Sequence, residues 1–163
     1  MNDERKQLVS WLNNAYAMER SLIKVLEHHA KDAADLPEVR ERDELHIAET
    51  HRHAERIEEC LRFLGESPSR AMGVMGGIMG LVQSMATGPF NDELIKNFLM
   101  DYAAESFEVG AYRSLISAAD KLGLTEIARL LGENLLEDEA MALWLGERIP
   151  DITRRCLAHS VAA

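Results

Sequence analysis

Cysteine is nearly absent from this chain: Cys60 and Cys156 are its two thiols, far apart and outside any C-x-x-C pattern. That excludes a disulfide framework and a thiolate zinc site, and leaves Cys60 as a small core residue. Basic charge is also short. With 18 Lys and Arg against 28 Asp and Glu, the formal net charge is -10, and no segment concentrates enough cations to hold a phosphate backbone, so nucleic acid is excluded as a partner. Long apolar runs are missing too. The most apolar stretch, Ala71 to Val82, covers 12 residues, short of the roughly twenty that cross a bilayer. The start of the chain, Met1-Asn2-Asp3-Glu4-Arg5-Lys6-Gln7, has no apolar signal region behind a basic start, so a cytoplasmic protein is expected.

Proline and glycine are sparse and clustered. Pro37, Pro68, Pro89 and Pro150 divide the chain into helix-sized pieces, because proline is tolerated at helix starts and not in helix interiors. Gly65 and Gly123 suit the left-handed residue just past a helix, while Asn91 and Thr125 suit N-caps. A single domain follows over residues 1–163, with helices at about 3–33, 38–64, 69–86, 91–122 and 125–149. The short connections within 3–64 and within 91–149 make each pair of long helices an antiparallel hairpin, hence an all-α four-helix bundle with a short connecting helix. In that connecting helix Gly73 and Gly77, then Gly76 and Gly80, allow close backbone approach. It is expected to pack on the bundle or across a dimer interface.

The acids stand where apolar residues belong. The first long helix carries Leu8, Leu12, Ala15, Glu19, Leu22, Leu26 and His29 at steps of three and four, an amphipathic stripe with an acid at its centre. The second carries His46, Glu49, His53, Ile57, Cys60 and Leu64; the third Leu94, Phe98, Tyr102, Glu105, Glu108, Tyr112, Ile116 and Ala119; the fourth Leu130, Asn134, Glu137, Met141 and Trp144. Tyr-Ala-x-Glu occurs at Tyr16–Glu19 and again at Tyr102–Glu105. Glu49 follows Glu19 by 30 residues and Glu137 follows Glu108 by 29, so the acids meet at one level of the bundle. Burying unpaired carboxylates costs several kcal/mol or forces them to take up protons; a pair of cations is the simplest compensation.

Oxygen donors with an occasional imidazole suit iron and manganese. On the bundle template for such centres, Glu19 and either Glu105 or Glu108 are terminal ligands and Glu49 and Glu137 bridge. Arg52 and Ala140 stand where a Glu-x-x-His motif would place its histidines. His53 and His46 share the face of Glu49 and are the candidate nitrogen ligands. Tyr16, Tyr102 and Tyr112 are read as core aromatics whose hydroxyls hold carboxylates, and His28, His29, His51 and His159 as surface residues.

Tyr16-Ala17-Met18-Glu19-Arg20, His46-Ile47-Ala48-Glu49-Thr50, Glu105-Ser106-Phe107-Glu108 with Tyr112, Leu122-Gly123 and Leu135-Leu136-Glu137-Asp138-Glu139 resemble, in order and spacing, the motifs of the YciE/YciF family of ferritin-like bacterial proteins. The resemblance covers about residues 8 to 145. It implies a ferritin-like bundle, a metal centre on Glu19, Glu49, Glu105, Glu108 and Glu137, a homodimer and a link to stress responses. Two functions fit these residues: a binuclear iron or manganese protein reacting with a small oxidant such as peroxide or oxygen, or a structural dimer with a structural or vestigial metal. Contact with a membrane surface is disfavoured by the net charge.

Overall fold

The computed structural model describes residues 3–69 and 92–161, and within 159–161 the backbone alone. Four helices account for nearly all of it: α1 (Asp3–Asp32), α2 (Pro37–Phe63), α3 (Glu93–Lys121) and α4 (Thr125–Val161). The connecting helix expected over 69–86 falls outside the described residues.

Local chemistry sets the ends. Asp3 and Glu4 occupy the first turn of α1, and His29 and Lys31 its last, matching the helix dipole. Pro37 opens α2, where its missing N–H costs nothing. Gly65 and Gly123 have φ of 76° and 68°, and both close Schellman motifs. After α3, the Leu124 amide bonds the Ala119 carbonyl at 2.9 Å and the Gly123 amide bonds that of Asp120 at 3.0 Å; after α2, the Glu66 and Gly65 amides bond Leu61 and Arg62 at 3.0 Å each.

The helices form two hairpins, α1 with α2 and α3 with α4, and α1 packs beside α3 while α2 packs beside α4. Cross-helix bonds show that these lateral neighbours also run antiparallel: Lys121 reaches Glu4, and Asn97 reaches Asp32. Consequently α2 ends and α3 begins at opposite ends of the bundle. This is the up-down pair of hairpins joined by one long crossover.

Two large apolar clusters fill the bundle on either side of a polar layer, and a small third one, Met18, Leu22 and Ala104, joins α1 to α3. One includes Leu8, Leu12, Ile57, Cys60, Leu61, Leu115 and Leu131, so Cys60 is the core residue expected, its thiol pushed up to about 12 by burial. The other includes Val39, Phe98, Met141, Leu145 and Ile152, with Phe98 stacked on Trp144.

The fourth long helix does not stop at 149. It continues through Pro150 to Val161. An interior proline removes a hydrogen bond and costs about 3 kcal/mol or more. Burial of Ile152, with Ile149 and Cys156 packed on the same cluster, offsets that cost and carries the helix on. No helix among the described residues is long and apolar enough to cross a membrane.

Candidate metal centre

Each helix sends at least one polar side chain into the layer between the apolar clusters. Glu19 comes from α1, His46 and His53 from α2, Glu105, Glu108 and Tyr112 from α3, and Asn134 and Asp138 from α4; none is more than 2% exposed. The Tyr112 hydroxyl donates to Oε1 of Glu19 and accepts from Nδ2 of Asn134 at 2.9 Å. His46 Nε2 meets Oε1 of Glu105 at 2.9 Å. The Glu108 carboxyl faces that of Glu19.

What remains is a set of buried donor atoms without partners. Among the described residues, Oε2 of Glu19, Nδ1 of His53, Oε2 of Glu105, Oε1 of Glu108 and both carboxylate oxygens of Asp138 make no hydrogen bond. Each such atom costs about 1–3 kcal/mol, more if charged. Glu19, His53 and Asp138 bring one ligand atom each within 4.8 Å of the others, and His46, Glu105 and Asp138 do the same. The two groups share Asp138. This donor set of carboxylates and imidazoles suits a hard metal cation.

The electrostatics lead to the same conclusion. Burial, then Glu105 and Glu19 nearby, push Asp138 up to about 10. Burial raises Glu105 although His46 opposes it, and burial with the charges of Glu19 and Glu105 raises Glu108 strongly. Tyr112 is raised strongly by burial and then by Glu19. Burial disfavours the His46 imidazolium, but Glu105 and Glu49 outweigh it and lift the ring to about 10. Without metal the layer therefore retains protons that cations would displace.

Glu49 and Glu137 lie further out, with side chains 14% and 26% exposed. Glu49 accepts from Arg42 at 3.0 Å and pairs with His46 Nδ1 at 2.9 Å; Glu137 accepts from Arg56 at 2.7 Å and pairs with His53 Nε2 at 2.8 Å. Burial works against ionisation of Glu49, but the His46 and Arg42 bonds prevail and lower it to about 2. Glu137 is lowered likewise against burial, by Arg56 and His53.

Sequence reasoning missed Asp138. Stepping three residues from Asn134 selects Glu137, whereas the buried stripe of α4 runs Leu130, Asn134, Asp138, Met141, Leu145, and steps of four, three and four from Asn134 would have found it. It also placed His29 at the surface, yet His29 is 5% exposed and its Nδ1 pairs with Asp101 at 2.7 Å. Asp43, buried nearby, is raised to about 7 by burial and by Asp101. Of the tyrosines, Tyr112 holds a carboxylate as expected and Tyr16 packs against an apolar cluster. Tyr102 is 41% exposed, with its ring against Gly146, where a Cβ would meet Cε2 at 3.2 Å; it is no core aromatic. His51 is exposed, as is His28, and the His159 side chain lies outside the description.

Fold and site together define a ferritin-like four-helix bundle with a buried carboxylate and histidine layer. The chain belongs to the family described as a domain of unknown function, DUF892, whose model matches residues 3–158. It is 30% identical to a protein of Xanthomonas campestris whose structure superposes with a TM-score of 0.82, covering 97% of this chain and 99% of that one. The Escherichia coli stress protein YciF is 22% identical at a TM-score of 0.82, covering 94% and 99%. A Desulfovibrio desulfuricans bacterioferritin with a diiron site is 21% identical at a TM-score of 0.72, covering 94% and 85%. The bacterioferritin likeness establishes the fold class.

Proposed function

We propose that this protein binds two iron or manganese ions between Glu19, His53 and Asp138 on one side and His46, Glu105 and Asp138 on the other, with Glu108 completing the oxygen set. The observation that carries the reading is the convergence of partnerless buried atoms from all four helices, Asp138 contributing both its oxygens. Cations would satisfy these atoms together and offset the repulsion among four buried carboxyls.

A bound pair of ferrous ions would supply two electrons, enough to reduce one peroxide with two protons to two waters. The chain's own contribution is to hold the ligands, exclude water with the flanking apolar clusters and keep a proton at the Tyr112 hydroxyl on Glu19. The description of the E. coli relative as a stress protein supports a stress-related role; oxidant defence in the cytoplasm is the form proposed for it. A homodimer belongs to the same reading, since Leu136, Leu143 and Phe107 stay well exposed on the single chain. Sedimentation showing a monomer at all concentrations would remove that part.

A second reading has one observation in its favour. The carboxyls of Glu19, Glu105, Glu108 and Asp138 are at most 2% exposed, which suits a metal that fastens the bundle without turnover. Elemental analysis of protein purified without chelator is expected to find about two ions per chain, and protein that stays folded and takes up no metal anaerobically contradicts both readings. Peroxide consumption that scales with metal load selects the first; its absence in fully loaded protein selects the second.

A further inference from the structure

The two histidines of α2 are built into the layer in the same way. Each ring has one nitrogen toward the buried carboxyls and the other on an outer glutamate, and in each case one oxygen of that glutamate also receives an arginine. For His46, Glu49 Oε2 meets Nδ1 at 2.9 Å and Arg42 Nη1 at 3.0 Å, leaving Nε2 to face Glu105. For His53, Glu137 Oε2 meets Nε2 at 2.8 Å and Arg56 Nη1 at 2.7 Å. Its Nδ1 is left without a hydrogen bond, 3.5 Å from Oε2 of Glu19 and 3.4 Å from Oδ1 of Asp138.

We propose that Glu49 and Glu137 are positioning residues rather than bridging ligands: each, clamped by its arginine, fixes one histidine ring with its inner nitrogen toward the metal site, Glu137 by holding the proton of His53 on Nε2 and Glu49 by aiming Nε2 of His46 inward, where a cation would displace its proton. The inference rests on the metal-binding reading above and assigns the outer shell of that site.

The argument is one of charge and partners. Glu49 and Glu137 are already neutralised, by Arg42 and by Arg56 with Arg52 at 3.8 Å, whereas the inner carboxyls have no guanidinium among the described residues. Turning either outer glutamate inward would strip an arginine in a half-buried place, where charge-assisted bonds are the strong ones. An ionised carboxylate on one imidazole nitrogen keeps the proton there and leaves the lone pair on the other, which is how outer partners orient metal-binding histidines. Arg56 extends the device, since it also donates to Oδ1 of Asn134 at 2.9 Å and meets Glu133 at 3.1 Å. Asn134 in turn bonds Tyr112 and the backbone carbonyl of His53. One guanidinium thus braces both the ring of His53 and the Tyr112 contact to Glu19.

Gln and Leu replacements separate the two roles. Metal-stripped wild type, Glu137→Gln, Glu137→Leu and the corresponding variants at Glu49 are titrated with Mn2+ by calorimetry, and histidine nitrogen shifts are recorded on the metal-free proteins. A positioning role requires the number of ions per chain to stay at the wild-type value in every variant. The Gln forms, which keep an acceptor oxygen, retain most of the affinity, and the Leu forms lose about 10- to 100-fold. In metal-free wild type His53 carries its proton on Nε2, and Glu137→Leu mixes the tautomers. Should a Leu form fail to fold, Arg56→Met supplies the same readout with Glu137 in place. Loss of a bound ion in the Gln forms makes these residues ligands and overturns the inference while leaving the metal-binding reading intact. Absence of uptake by wild type of both Mn2+ and, under anaerobic conditions, Fe2+ overturns that reading instead, and an unchanged His53 tautomer in Glu137→Leu overturns the positioning role by itself.

Discussion

The Nδ1 atom of His53 stands 3.4 Å from Oδ1 of Asp138, both fully buried and neither making a hydrogen bond. Two buried ligand atoms left without partners this close together are atoms that a cation between them would bind at once. The same Asp138 reaches the His46 and Glu105 group, so its replacement has opposite effects with and without metal. Asp138→Asn removes an acid raised to about 10, so the metal-free protein is expected to hold or gain stability by roughly 1 kcal/mol. Metal affinity should fall at both positions, and calorimetry together with thermal melts checks the pair of signs.

Acidity provides a further test on metal-free protein. Asp138 and Asp43 are raised to about 10 and about 7 from ordinary values near 4, so their contribution is greatest below that range and is lost as pH rises through the folded values. His46, raised to about 10, stabilises fully below its ordinary value and loses its effect as pH climbs through 10. Glu49, held at about 2, acts the other way, stabilising above the ordinary carboxylate range and fading as pH falls toward 2. Denaturant melts should therefore show greatest metal-free stability in mild acid and a decline toward alkaline pH. Metal should flatten the alkaline side, because its binding displaces those protons.

Tyr112→Phe deletes the hydroxyl that donates to Glu19 and accepts from Asn134. It leaves two buried groups short of a partner, for a loss of about 1–3 kcal/mol in denaturant melts.

His29→Leu tests the pair that lies outside the metal centre. Asp101 would keep its burial and lose its 2.7 Å partner. Removing one member of a buried pair costs about 3–5 kcal/mol, and the double replacement His29→Leu with Asp101→Leu should recover much of it.

The four long helices were legible because their boundaries rest on local chemistry: Gly65 and Gly123 close Schellman motifs and Pro37 opens a helix, all within a few residues of chain. Glu19, Glu105 and Glu108 were legible because acids on an apolar stripe contradict the period around them. Asp138 was hidden by its neighbour, since two consecutive acids differ by about 100° around a helix and packing selected the second. Pro150 misled for a related reason. The burial of Ile152 that carries α4 past the proline is tertiary, and no nearby residue announces it. The burial of His29 depends likewise on which helix lies opposite, through its pair with Asp101 across α1 and α3, and the place of Tyr102 on the packing of its ring against Gly146 of α4.

The shared role of Asp138 is the centre of the account, and a crystal structure of the iron- or manganese-loaded protein, with anomalous scattering recorded at the metal edge, tests it most directly. Two anomalous peaks are expected, both within coordination distance of Asp138, one toward Glu19 and His53 and the other toward His46 and Glu105. Peaks ligated by other residues with Asp138 left out, or no peak in the layer at all, would contradict it.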